Sequence, residues 1–189
     1  MNNIYVFEGL PGAGKTTIIR DIMNKFNFFS IGEIIDSKGN NILSEKLIGT
    51  KQNFYYKNDR NKMKLSIIKS KKKSILVDRG YLSTIAYNML FGEKEKIIKI
   101  FRKLIKKYDK RIIYIYLKLN VEKSLERKHR EKNKKDLWTF KKNLVKINQF
   151  YNDYLNSKQN VIIIDASNEY SVVLRNVINQ IIKLERRLE

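Results

Sequence analysis

The chain has 189 residues, with 40 Lys and Arg against 19 Asp and Glu, a formal charge of +21, one histidine and no cysteine. That length fits one domain with a sizeable core, and the lack of thiols excludes disulfides, thiolate catalysis and Cys-based zinc sites. Met1 to Glu8 contains no basic region leading into a long apolar stretch. No run reaches the roughly 20 apolar residues of a membrane span, so a cytoplasmic protein without membrane contact is expected.

Basicity of this size suggests nucleic acid or another polyanion as partner. Lys, Ile and Asn are abundant throughout, however, as AT-rich coding would produce, and the lysines are spread along the chain. Lys69 to Lys73 and Arg127 to Lys135 are the densest runs. Compositional drift combined with polyphosphate substrates is the preferred reading, with nucleic acid kept as the alternative partner.

Ile4 to Glu8 is a β-prone, nearly continuous apolar run, as a central parallel strand requires. It feeds a glycine-rich loop, after which Ile18, Ile19, Ile22, Met23 and Phe26 predict a helix over Thr16 to Phe26. Phe28 to Gly49 has no clear period and is read as irregular, with helical pieces at best. A long amphipathic helix is predicted from Gln52 to Ser70, followed by a buried strand over Ser74 to Asp78. Helical patterns cover Leu82 to Phe91 and Lys94 to Tyr108, and Arg111 to Leu117 is a third strand. Asn120 caps a helix running to about Arg130. Asp136 starts another, to about Leu155. Val161 to Asp165 is the last clear strand, and Ser167 or Asn168 caps a closing helix over Glu169 to Leu188. Strands alternating with helices predict an α/β fold of three layers, a parallel sheet with helices on both faces.

Gly9-Leu-Pro-Gly-Ala-Gly14-Lys15-Thr16 is a complete Walker A phosphate loop, set between a buried strand and a helix as its mechanism demands. Backbone N–H groups from Gly12 through Ala13 and Gly14 to Thr16 can wrap a phosphate, aided by the helix N-terminus. The glycines, with Pro11, let the backbone turn tightly. Lys15 would reach the β- and γ-phosphates of ATP, Thr16 would ligate Mg²⁺, and Thr17 would add a lesser phosphate contact. Asp78 ends an apolar strand on the same sheet edge and is the Walker B candidate for the metal. Arg79 beside it can fork onto a second phosphate.

These segments carry a resemblance. Phe7 to Thr17, then Val77-Asp-Arg-Gly-Tyr-Leu-Ser-Thr-Ile-Ala-Tyr87, look like the thymidylate kinase and deoxynucleoside kinase superfamily of P-loop kinases. Tyr116 to Arg130 is similar to that family's strand and helix entering an Arg-bearing lid, here about 127–137. Val161 to Ser167 resembles the last strand and the loop, Ala166 and Ser167, that lies against adenine. Phe28 to Lys73 matches only loosely. The resemblance implies that Arg79 takes the acceptor's phosphate or the transferring group, while Arg127 and Arg130 steady the nucleotide and reach the transferring phosphate. The sequence departs from the thymidylate kinases at Pro11, where an acid usually contacts the acceptor's sugar, and at Gly80, where an aromatic or His usually follows Asp-Arg.

A nucleoside acceptor would need a carboxylate to take its hydroxyl proton, and Glu33 falls where the family's nucleoside kinases place that base. Phe54, Tyr55, Tyr56 and Arg60 sit on the helix that would line the acceptor pocket, with Tyr87 as a further contact. His129, among charges, is expected to be exposed. The reading is an ATP- and Mg²⁺-dependent kinase of a nucleoside monophosphate or nucleoside, leaning to the monophosphate because Arg79 suits a phosphate. The alternatives are a P-loop kinase of another small alcohol and a nucleic-acid-associated ATPase or polynucleotide kinase. A homodimer is the expected assembly.

Overall fold

The apolar runs assemble into one five-stranded parallel sheet in the computed structural model, which describes residues 2–33, 52–71, 73–91, 112–130 and 140–186, with Glu95 and Lys99. Of residues 52–56 and 91 the backbone alone is described. Strand β1 (Ile4–Glu8) is central, paired with β3 (Ile75–Asp78) on one side and β4 (Ile112–Lys118) on the other. Outside them lie β2 (Phe29–Ile31) and β5 (Val161–Asp165), giving the order β2-β3-β1-β4-β5. From β1 the chain passes to the edge strand β2, returns to β3 beside β1, and then crosses to β4 on the other side of β1, so the strand order reverses at β1 and a crevice opens at its carboxyl end.

The helices are α1 (Lys15–Lys25), α2 (Gln52–Lys69), α3 (Tyr81–Asn88), α4 (Val121–Arg130), α5 (Lys141–Asn156) and α6 (Tyr170–Glu185). Strand side chains alternate between the two faces. Tyr5, Phe7, Leu76, Ile115 and Leu117 pack with Ile18 and Ile22 of α1 and with Val173, Val177 and Ile181 of α6. Ile4, Val6, Val77, Tyr114 and Tyr116 face the other way, against Leu82 and Ile85 of α3 and Leu144, Ile147 and Tyr151 of α5. The three-layer α/β expectation therefore holds. At the edge of the sheet away from the crevice, the Glu185 carboxylate accepts bonds from Tyr5 OH at 2.6 Å, Asn3 Nδ2 at 2.9 Å and Ser74 Oγ at 2.7 Å. This ties the end of α6 to β1 and to the start of β3.

Several boundaries differ from the sequence reading. β2 was not expected; its three residues are too short to show a period, and pairing with β3 creates it. The predicted helix over 82–91 is α3 followed by a 3₁₀ turn, Met89–Phe91. Asn120 does cap α4, its Oδ1 accepting from Lys123 N at 2.8 Å. Neither Ser167 nor Asn168 caps α6, because both are engaged with Asp165 in the preceding turn and Glu169 holds the cap position. α5 is described from Lys141; Asp136, the expected start, lies outside the described residues, as does most of the predicted 94–108 helix, of which Glu95 and Lys99 are helical.

α2 departs most from expectation. Its most buried positions include the polar Asn58, Asp59, Lys62 and Ser66, while its apolar Met63, Leu65 and Ile67 pack against the core only partly buried.

Candidate active site

Gly9, Gly12 and Gly14 carry φ of +142°, +74° and +86°. At Gly9 an added Cβ would stand 2.5 Å from the Leu117 carbonyl oxygen, so only glycine fits against β4 there. This bends the chain from β1 into α1 and aims the first N–H groups of that helix into the crevice. Lys15 is buried, and its Nζ donates to the carbonyls of Gly9 at 3.1 Å and Leu10 at 2.8 Å. Burial, reinforced by Arg79, pushes its amine down to about 7 despite the nearby carboxylates of Asp78 and Glu33.

Thr16 Oγ1 donates to Asp78 Oδ2 at 2.5 Å, joining the loop to the end of β3. The other oxygen, Asp78 Oδ1, is buried without a hydrogen-bond partner. A hydroxyl and a carboxylate with a spare oxygen are hard donors suited to Mg²⁺, which takes one or two protein oxygens and completes its shell with water and phosphate. Thr17 is exposed on the first turn of α1.

Arg79 occupies the turn between β3 and α3 at φ +59°, a left-handed conformation uncommon for a residue with a side chain. Its Nη1 donates to the Gly9 carbonyl at 3.1 Å and to Ser83 Oγ at 3.2 Å. Its guanidinium lies 5.5 Å from the Tyr87 ring centre. Glu33 Oε1 is 3.0 Å from Arg79 Nε, a close ion pair although not aligned as a hydrogen bond. Burial would raise the Glu33 carboxyl, but Arg79, then Lys15 and Lys62, outweigh it and hold it below the ordinary glutamate value. The structure thus brings together Lys15, Thr16, Asp78, Arg79, Glu33 and Tyr87. Arg60 lies on the exposed side of α2, and the Phe54, Tyr55 and Tyr56 side chains lie outside the described residues.

On the other wall, α4 is bolted to the loop. Ser124 Oγ donates to the Pro11 carbonyl at 2.7 Å, and Arg127 donates to Gly12 O at 3.1 Å and Ala166 O at 2.9 Å. Lys123 Nζ reaches Ser167 O at 2.9 Å. Arg127 therefore spans the phosphate loop and the turn after β5. Arg130 lies outside this cluster, 76% exposed and paired with Glu126. His129 is exposed, as expected, and of the expected lid, about 127–137, residues 131–137 lie outside the described residues.

Three site residues were not found in the sequence. Glu8 is wholly buried, accepting from Gly80 N, Ser83 Oγ and Tyr151 OH. Lys62 Nζ donates to the carbonyls of Asp78 at 2.6 Å and Arg79 at 3.1 Å, fixing the end of β3 from α2. One turn earlier Asp59 is buried with one oxygen unpartnered, and burial pushes its carboxyl up to about 7 against the pull of Lys62 and Thr84. An acid closing an apolar strand was the available signal for Glu8; nothing in the sequence marked Asp59 and Lys62 as inward-facing.

The thymidylate kinase family model matches residues 7–177, nearly the whole chain. The chain belongs to the thymidylate kinase family. It is 30% identical to a probable thymidylate kinase of Methanocaldococcus jannaschii, over 88% of each chain. It is 26% identical to one of Sulfurisphaera tokodaii, over 94% of this chain and 95% of the relative. Among solved structures, a deoxyadenosine kinase from M. mycoides with bound dATP superposes with a TM-score of 0.67 at 15% identity, covering 94% of this chain and 98% of that one. The same enzyme with products dCMP and a flexible dCDP gives 0.66 at 16%, over 95% and 99%. These structures support the fold. The family makes the chain a nucleotide kinase whose reaction is phosphoryl transfer to a nucleotide or nucleoside. No helix among the described residues is long and apolar enough to cross a membrane.

Proposed function

We propose that the chain transfers the γ-phosphoryl group of ATP to a nucleoside monophosphate, as its probable thymidylate kinase relatives are named to do. The observation that carries the donor side is the Thr16–Asp78 contact with the spare Asp78 oxygen beside it. Thr16 and Asp78 would hold Mg²⁺, whose charge neutralises the phosphates when bound. Lys15 moves from the Gly9 and Leu10 carbonyls onto the β- and γ-phosphates, exchanging neutral partners for charged ones. Arg127, between Gly12 and Ala166, flanks the nucleoside end of ATP. Arg79 receives the acceptor. An acceptor oxygen attacks the γ-phosphorus in line, the bond to the β,γ-bridging oxygen breaks, and ADP leaves with that oxygen.

One observation favours a nucleoside acceptor as the second reading. Glu33 sits on Arg79 as an ionised carboxylate, where it could take the proton from a sugar hydroxyl and where it would repel an incoming phosphate dianion. A monophosphate needs no such base.

The test is ADP formation with each nucleoside and each monophosphate, for the wild type and Glu33→Gln. Turnover of monophosphates that Glu33→Gln preserves or improves supports the first reading. Turnover of nucleosides that falls about 100-fold or more in Glu33→Gln supports the second. No turnover with any of them overturns both.

A further inference from the structure

We propose that Glu8 is a positioning residue that holds Arg79 for the acceptor and ties it to α5 through Tyr151. Its catalytic meaning rests on the reading of Arg79 given above, while the positioning itself stands on geometry alone.

Glu8 ends the central strand, immediately before Gly9, and is completely buried. A carboxylate there is costly unless several donors meet it. Oε1 accepts from Gly80 N at 2.9 Å, and Oε2 accepts from Ser83 Oγ at 2.6 Å and from Tyr151 OH at 3.1 Å. Arg79 Nη1 in turn donates to Ser83 Oγ. Ser83 has one hydroxyl proton and receives one from Arg79. Ser83 Oγ also lies 2.8 Å from Tyr151 OH, where either can donate, so the relay from Arg79 ends on Glu8 either through Ser83 directly or through Ser83 and Tyr151. An ionised carboxylate satisfies all three donors at once. Glutamine cannot, because its NH₂ would face either Gly80 N or the two hydroxyls.

The same carboxylate acts on the backbone of Arg79. The left-handed Arg79 is held on one side by its own N–H to Phe7 O at 3.1 Å and on the other by Gly80 N to Glu8. Glu8 thus grips the peptide after Arg79 and, through Ser83, the guanidinium itself. A Cβ at Gly80 would stand 3.0 Å from Val6 Cγ1, a tight approach to β1, and in ordinary contact with Glu8 Oε1. Tyr151, fully buried on α5, is the third donor, so that helix shares one carboxylate with Arg79.

The test reads Arg79 directly and then through catalysis. In arginine-labelled protein the Nη resonances of Arg79, assigned by their loss in Arg79→Lys, should rotate slowly in the wild type. Glu8→Gln and Ser83→Ala should accelerate that rotation about tenfold or more, since a hydrogen bond to a charged group is lost. Tyr151→Phe should leave it slow. Glu8→Asp, which keeps the charge, should restore part of the wild-type behaviour. With whichever acceptor turns over, Glu8→Gln should raise its KM about tenfold while leaving the KM for ATP within twofold. A merely structural role would lower thermal stability and move neither readout selectively. Unchanged Arg79 rotation in folded Glu8→Gln and Ser83→Ala overturns the proposal; if Glu8→Gln does not fold, Ser83→Ala alone decides it. If Arg79 is released but acceptor KM is unchanged, the positioning stands and the acceptor role of Arg79 falls.

Discussion

Lys15→Met should abolish phosphoryl transfer and yet stabilise the protein without ligand. In that state the Lys15 amine is 5% exposed and held down to about 7 from 10.5, net of the attraction of Asp78, Glu33 and Glu8. Each pKa unit is worth about 1.4 kcal/mol, so the charged amine costs at most about 5 kcal/mol, and relaxation of the loop brings a realistic gain to about 2–3 kcal/mol. The substitution strands no polar group. The Gly9 carbonyl keeps Arg79 Nη1 as a donor, and Leu10 O keeps Ala13 N at 3.3 Å. Methionine fills nearly the same volume. For a chain of this size the melting temperature should rise roughly 4–12 °C at pH 7. The sign follows from proton binding. Between about 7 and 10.5 the unfolded lysine holds a proton that the folded one has released, so wild-type stability from this group rises with pH. The advantage of the Met variant should therefore shrink from pH 7 to pH 10. Melting curves at four pH values, with and without MgADP, provide the assay. A Met variant that melts lower at pH 7, or whose advantage does not shrink with pH, refutes the argument.

Arg127→Met removes both bonds between the phosphate loop and the turn after β5. It should raise the KM for ATP about tenfold with the acceptor KM unchanged, measured by varying each substrate in turn. Thr16→Val keeps the shape of α1 but loses the hydroxyl bonded to Asp78. Its affinity for ADP alone should stay within about threefold while the gain from adding Mg²⁺ disappears, as isothermal titration would record. Gly9→Ala places a Cβ 2.5 Å from Leu117 O at φ +142° and should cost about 3 kcal/mol or more, seen as a lower urea midpoint.

What could be read from the sequence was whatever is written locally. The glycine spacing of 9–14, the apolar strands and the acid at the end of β3 each depend on a few adjacent residues, and the structure matches them closely. The Asn120 cap belongs to the same group. Glu8 was visible as an acid after an apolar run, but its meaning lies in Ser83 and Tyr151, 75 and 143 residues away. Asp59 and Lys62 defeated the reading for another reason. Periodicity rules assign charges to the solvent face, whereas α2 buries these two, Lys62 meeting the carbonyls of Asp78 and Arg79. β2 failed as a pattern because three residues show no period; the neighbouring strand makes it. Gly80 read as a departure, and the structure adds that a Cβ there would come within 3.0 Å of Val6 Cγ1.

The site cations share a property that bears on the large net charge. Lys15 rests on two carbonyls, Arg79 on a carbonyl, Ser83 and Glu33, and Arg127 on the carbonyls of Gly12 and Ala166. Lys62 is likewise spent on the end of β3. Each phosphate-facing cation thus already has a partner, and nucleotide binding exchanges partners instead of filling an empty field. The carboxylates of Glu33 and Asp78 face the same cluster and attract Lys15 and Lys62, offsetting part of its positive charge. Among the described residues, further positive charge lies on exposed lysines such as Lys25, Lys57, Lys64, Lys118, Lys142 and Lys146, which sit on different elements. Charge spread in that way over the described elements steers anions without favouring one, and under the proposed function discrimination among acceptors would fall to Arg79 and the residues that hold it.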